Sequence, residues 1–218
     1  MCNNWPDFTY SLNWPYSVYG GTGGFIGNTA IICGGWGGSD YVQECYSLTS
    51  EKATLVSHMS VGRKFAASIV YGNTLWVTGG KVYNGDGMDS TEYVTVTGST
   101  PGPDLPMALF LHAIAAINNT CSMVIGGRVK IYVLSSYGYM IWNGYTDDSA
   151  LTFYYDHIED KWTNGTSLMQ ARSRHAAGIV TDEETDENFV AVTGGYGLDY
   201  TELLQDGEWV QGKINDTI

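Results

Sequence analysis

Four times within 218 residues an apolar run of strand length closes on two glycines: TAIICGG (29–35), TLWVTGG (74–80), CSMVIGG (121–127) and FVAVTGG (189–195). A short apolar run bounded by glycine reads as a buried β-strand, and recurrence at a fixed period marks a repeat architecture built from one supersecondary unit. The pairs begin at Gly34, Gly79, Gly126 and Gly194, in steps of 45, 47 and 68. The first two steps are one period, and the third is that period with an insertion.

The flanks repeat as well. Small-residue strands precede three of the pairs, RKFAASIVYGN (63–73), FLHAIAAINNT (110–120) and RSRHAAGIVTD (172–182), with SVYGGTGGFIGN (17–28) as a looser fourth. A polar loop and a further strand follow each pair: ECYSLTS, TEYVTVTG, LTFYYDH and TELLQDG, with Trp162 and Trp209 after a turn in the last two. Each unit therefore reads as four short antiparallel strands. The units run over 16–57, 62–107, 110–169 (insertion 128–150) and 172–216.

The pattern resembles the kelch repeat, whose signature is an apolar strand closing on Gly-Gly, then a Tyr, then a Trp, with an Arg opening the next unit. The matching residues are Gly34, Gly35, Gly79, Gly80, Gly126, Gly127, Gly194 and Gly195, then Tyr46, Tyr93 and Tyr155, then Trp162 and Trp209, and the opening Arg63 and Arg172. Phe110 is read into the Arg position of the third unit. The resemblance implies an all-β chain, a kelch-type β-propeller of about four four-stranded antiparallel blades, read as part of a larger, six-bladed ring. The glycine pairs are then turn and packing devices. A dinucleotide site would need G-x-G-x-x-G opening a helix, a spacing that neither GGTGGFIG (20–27) nor GGWGGSD (34–40) completes.

Charge and cysteine usage set the surroundings. Ten Lys+Arg against 23 Asp+Glu leave a net charge of -13, which repels nucleic acid and anionic membrane surfaces, and no apolar stretch has the length of a membrane span. Cys33 and Cys45 lie across one hairpin and are a candidate disulfide, the kind of staple that oxidising compartments retain. N-x-[ST] triplets at Asn118, Asn164 and Asn215 are candidate glycosylation sites. Together they favour an extracellular or secretory-pathway setting.

Function is expected on loops. In a four-stranded meander the second-to-third connections and the links between units emerge on one face, and binding residues concentrate on such loops. The candidates are Trp36, Tyr41, Tyr196 and the insertion aromatics Tyr132, Tyr137, Tyr139, Trp142 and Tyr145, which offer rigid amphipathic contact area. NGDGMDS (84–90) lacks the carboxylate spacing of a calcium loop, and TDEETDEN (181–188) reads as a solvated turn. His112 and His175 hold equivalent repeat positions and read as scaffold, while His58 and His157 stand apart. No catalytic residues, metal site or cofactor are expected. The reading is a non-enzymatic module recognising a protein or glycan. The alternatives are a cytosolic adaptor that recruits a protein substrate and, among proteins resembling this fold, a galactose oxidase-like or sugar-isomerase enzyme.

Overall fold

The computed structural model describes residues 17–49, 52–83, 86–134, 140–183 and 185–212, with the side chains of 131–134 and 140–145 excluded. Eighteen strands and no helix make up the described residues. The first sheet is β1 (Thr22–Ile26), β2 (Thr29–Cys33), β3 (Glu44–Leu48) and β4 (Ala53–His58). The second is β5 (Ala67–Tyr71), β6 (Thr74–Thr78), β7 (Thr91–Thr95) and β8 (Gly98–Pro101). The third opens with β9 (Ala113–Asn118) and β10 (Cys121–Ile125), gives way to the hairpin β11 (Arg128–Leu134) and β12 (Met140–Asp148), and resumes with β13 (Thr152–Asp156) and β14 (Lys161–Asn164). The fourth is β15 (Ala176–Thr181), β16 (Asn188–Thr193), β17 (Thr201–Gln205) and β18 (Glu208–Gln211). All four sheets are antiparallel meanders, and the insertion is a separate two-stranded ribbon.

The sheets pack face to face in chain order, β1 against β5, β5 against β9 and β9 against β15. Strand alternation explains why: each sheet sends one set of side chains to the sheet before it and the other to the sheet after it. Ile31 and Cys33 thus meet Leu75, Val77 and Val94 between the first two sheets. Trp76 meets Val124, Phe153 and Tyr155 between the next two, and Met123 and Ile125 meet Val190 and Val192 between the last two.

The glycine pairs sit at these junctions. The second glycine of each of the first three pairs, Gly35, Gly80 and Gly127, donates its N–H to a carbonyl of the following sheet, that of Arg63, Leu109 and Arg172, at 2.8, 2.8 and 2.9 Å. A Cβ on the first glycine of those pairs, Gly34, Gly79 or Gly126, would lie 2.5, 2.5 or 2.8 Å from the same carbonyl oxygen. Close backbone approach and positive φ therefore both demand glycine. The fourth pair has the same backbone shape, but a Cβ on Gly194 would meet nothing nearer than 4.0 Å.

A second main-chain ladder crosses the same junctions. Phe65 N–H donates to Gly20 C=O, Leu111 to Phe65 and Arg174 to Leu111, at 2.7, 2.9 and 3.0 Å. Phe65, Leu111 and Arg174 all hold φ near +58°, at 59, 57 and 58°. Left-handed backbone costs a non-glycine residue on the order of 1 kcal/mol, so each junction constrains its own geometry strongly. Among the described residues both ladders stop with unpaired groups: the Gly20 N–H and Val18 C=O at the first sheet, and the Gly195 N–H and Arg174 C=O at the fourth.

Register refines the sequence reading in two places. The carbonyl contacted by Gly80 is that of Leu109, so Leu109 and not Phe110 occupies the Arg position of the third unit. Strand pairing sets Tyr93 opposite Trp76 and Tyr154 opposite Met123, which makes Tyr154 and not Tyr155 the counterpart of Tyr93. By the same pairing Tyr46, opposite Ile32, is the counterpart of Glu92 and Glu202, opposite Val77 and Val192. Trp162 and Trp209 hold matching places, opposite Tyr155 and Leu204.

Two units hold a buried ion pair at the Arg position. Arg63 Nη1 donates to the carbonyls of Gly79 and Ser90 at 3.0 and 2.8 Å, and its Nη2 to Glu92 at 2.7 Å. Arg172 does the same with Gly194, Tyr200 and Glu202. The third unit replaces the pair with Leu109 and Phe153, both buried.

Candidate functional site

The residue following each glycine pair defines a rim on the loop face. Trp36, Lys81 and Arg128 form single bridges to Tyr19, Lys64 and Phe110, and Tyr196 N–H donates to Ser173 C=O at 3.0 Å. The expected Trp36 and Tyr196 therefore hold matching places in this series, and Tyr41 bridges Trp36 and meets it edge-on at 4.9 Å. Tyr132 and Trp142 are strand partners in the β11–β12 ribbon, whose base is the Arg128–Asp148 pair on the same rim. Tyr145 lies on β12. Tyr137 and Tyr139 lie outside the described residues.

Cations fill the spaces between these rings. Lys64 Nζ stands 5.1, 4.9, 5.4 and 5.2 Å from the ring centres of Tyr19, Trp36, Tyr41 and Phe65, and bonds Tyr19 Oη at 3.3 Å. Lys81 Nζ lies 5.0 Å from the Phe110 ring, and the Arg174 guanidinium 5.5 Å from that of Tyr196, which is 71% exposed. Burial, reinforced by Lys64, Arg128 and Lys130, pulls the Lys81 ammonium below the usual lysine range. Arg128 pairs with Asp148 at 2.9 Å and Lys130 with Asp86. Sequence reasoning selected the aromatics and missed these cations. For Lys81 and Arg128 the signal was positional, the residue immediately after each Gly-Gly; Lys64 and Arg174 carry no such mark.

The histidines belong to the scaffold. His112 is buried, bonds Thr78 Oγ1 at 2.9 Å, and burial lowers its pKa to about 3. His175 bonds the Ile125 carbonyl and falls to about 4, through burial first and Arg172 second. His157 does not stand apart. Its ring stacks on Tyr71 at 4.0 Å and its Nε2 meets Ser122 Oγ at 2.8 Å. Ser122 is buried, and the Asp156 carboxylate is taken by the amides of Ile158 and Glu159, so this serine–histidine contact has neither substrate access nor an orienting acid. Among the described residues no three His, Cys, Asp or Glu side chains converge on a metal position.

Cys33 and Cys45 are joined by a disulfide across β2 and β3, where they are direct strand partners. Cys121 is a free thiol. Asn118 ends β9 and Asn164 ends β14, both exposed, and Asn118 Oδ1 accepts from Thr120 N–H and Oγ1; Asn215 lies outside the described residues. No helix of the described residues is long and apolar enough to cross a membrane.

The chain is thus an all-β protein of serially packed four-stranded sheets with an aromatic and cationic loop rim. No family model matches it, and no curated protein does. Among solved structures it is similar to one described as "Structure of YjhT", with a TM-score of 0.72 and 14% identity over 94% of this chain and 71% of that one. At that identity the likeness is one of fold.

Proposed function

We propose that the four sheets are consecutive blades of a kelch-type β-propeller, part of a larger ring, and that the protein is a non-enzymatic binding module whose rim loops recognise a protein or glycan outside the cell. The propeller reading is supported by the two main-chain ladders, which link every sheet to the next in the same way. Extension of the ring is supported by what the end sheets leave uncovered. Leu75, Val77 and Val94 of the second sheet are fully buried against the first, whereas their counterparts Ala30, Ile32 and Leu48 are half-buried beside Phe25, which is 68% exposed. They line a groove of about 1090 Å³. At the other end Val180 and Val210 are exposed on the outer face of the fourth sheet. The YjhT structure, of which this chain matches 71%, contains further chain.

One observation carries the binding reading: Lys64 is ringed by four aromatic side chains on a loop rim, outside the buried core clusters. The test screens purified protein against secreted-protein and glycan panels, then repeats every hit with Trp36→Ala/Tyr196→Ala. Hits should weaken at least tenfold, as loss of one aromatic anchor does. Unchanged binding with intact folding sinks the reading. Peptide mass spectrometry without reduction should find the Cys33–Cys45 link in native protein and glycans at Asn118 and Asn164; bare asparagines and free thiols would favour the cytosolic adaptor.

A further inference from the structure

We infer that Lys64 and Lys81 form an anion-binding centre on the rim, built to take a carboxylate from an acidic peptide segment of a protein partner. The inference rests on the binding reading above and names its ligand class.

The two lysines exchange both of their main-chain hydrogen bonds, Lys64 N–H to Lys81 C=O at 3.2 Å and Lys81 N–H to Lys64 C=O at 2.8 Å, so they are direct cross-strand partners. Like charges so placed repel, and folding gains nothing from the arrangement. Among the described residues no carboxylate lies within ion-pair distance of either ammonium, although the neighbouring Arg128 and Lys130 each have one, Asp148 and Asp86. An uncompensated pair therefore sits between compensated cations, on a chain whose net charge is -13. Both lysines are half-buried against Tyr19, Trp36, Tyr41, Phe65 and Phe110. Partial desolvation strengthens any charge pair formed there. An oxyanion shared by the two ammoniums relieves their repulsion and completes the charge pattern of the rim.

The chemistry favours a short acidic segment over a polyanion. The overall negative charge repels extended sulfated or phosphate chains at long range. A peptide with one or two carboxylates among apolar residues meets the lysines locally and lays its apolar part on the surrounding rings. Ammoniums are point charges without the planar fork of arginine, which suits one carboxylate held between them.

The test pans a random dodecapeptide display library on the full chain and on Lys64→Gln/Lys81→Gln, with a sulfated-glycan array as the parallel arm. Recovered peptides should be enriched in Asp and Glu several-fold over input on the original protein only, and individual peptides should lose at least about tenfold in affinity on the double variant, the loss expected of a charge-assisted contact. Recovery of peptides without acidic bias, equal binding by the double variant, capture of sulfated glycans alone, or no recovery overturns the inference. Neutral ligands that depend on Trp36 and Tyr196 would overturn it while leaving the binding reading intact.

Discussion

Replacing Arg63 by leucine should be severely destabilising, and replacing Glu92 by phenylalanine in the same molecule should recover much of the loss. Arg63→Leu strands the Glu92 carboxylate, 2% exposed, without its cation, and removes donors from the carbonyls of Gly79 and Ser90. Breaking one partner of a buried pair costs about 3–5 kcal/mol, whereas replacing both by apolar groups is often near neutral. The protein contains the replacement already, since the third sheet carries Leu109 and Phe153 in these two places, both buried. Recovery will be incomplete because the buried Gly79 carbonyl still lacks the donor that Arg63 supplied, a cost of about 1–3 kcal/mol, whereas the exposed Ser60 can turn to water. The double variant should therefore fall about 1–3 kcal/mol below the original and lie above Arg63→Leu alone. Urea unfolding followed by tryptophan fluorescence measures all four corners of the cycle. A double variant as unstable as the sum of the singles would refute the claim that the two positions form one interchangeable slot.

Acid should weaken the fold through His112. Its folded pKa of about 3 lies below the ordinary 6.5, so the stability it contributes is fully present above pH 6.5 and declines as pH falls towards 3. One pKa unit is worth about 1.4 kcal/mol, so at pH 4.5 the loss from this residue is roughly 2–3 kcal/mol, read as a drop in the urea midpoint that His112→Gln reduces by about half, because His175, with a folded pKa of about 4, loses a similar share over the same range. Glycine substitutions should separate the junctions: Gly79→Ala drives a Cβ to 2.5 Å from the Leu109 oxygen and should cost several times the roughly 1 kcal/mol of backbone strain expected for Gly194→Ala, where nothing lies closer than 4.0 Å. Equal thermal shifts for the two would mean that the close approach is not what selects glycine.

Periodicity made the four sheets legible, because an apolar run ending in Gly-Gly repeats whenever a strand must turn and touch the next sheet. The disulfide was legible for a similar reason, since Cys33 and Cys45 flank one hairpin. Register was harder. TFYYD carries adjacent tyrosines that point to opposite faces, and only the hydrogen-bond ladder decides that Tyr154 matches Tyr93. In LFLH, Leu109 and Phe110 are equally apolar, and the choice rests on which carbonyl Gly80 meets. Lys81 and Arg128 were invisible for a different reason: Trp36, Lys81, Arg128 and Tyr196 share a repeat position but no chemistry, and a search for like residues passes over an equivalent place with varied occupants.

The ladders also give the array a direction. Each junction takes one donor and one acceptor from either side, so among the described residues the first sheet is left with the half that meets a preceding sheet and the fourth with the half that meets a following one. Such a chain can be lengthened or shortened only in whole repeats, because a partial unit would leave a donor facing a donor or a carbonyl facing nothing. Sequence growth by duplication is then quantised by main-chain geometry, and a swapped or transplanted unit should be tolerated according to its junction residues more than its core.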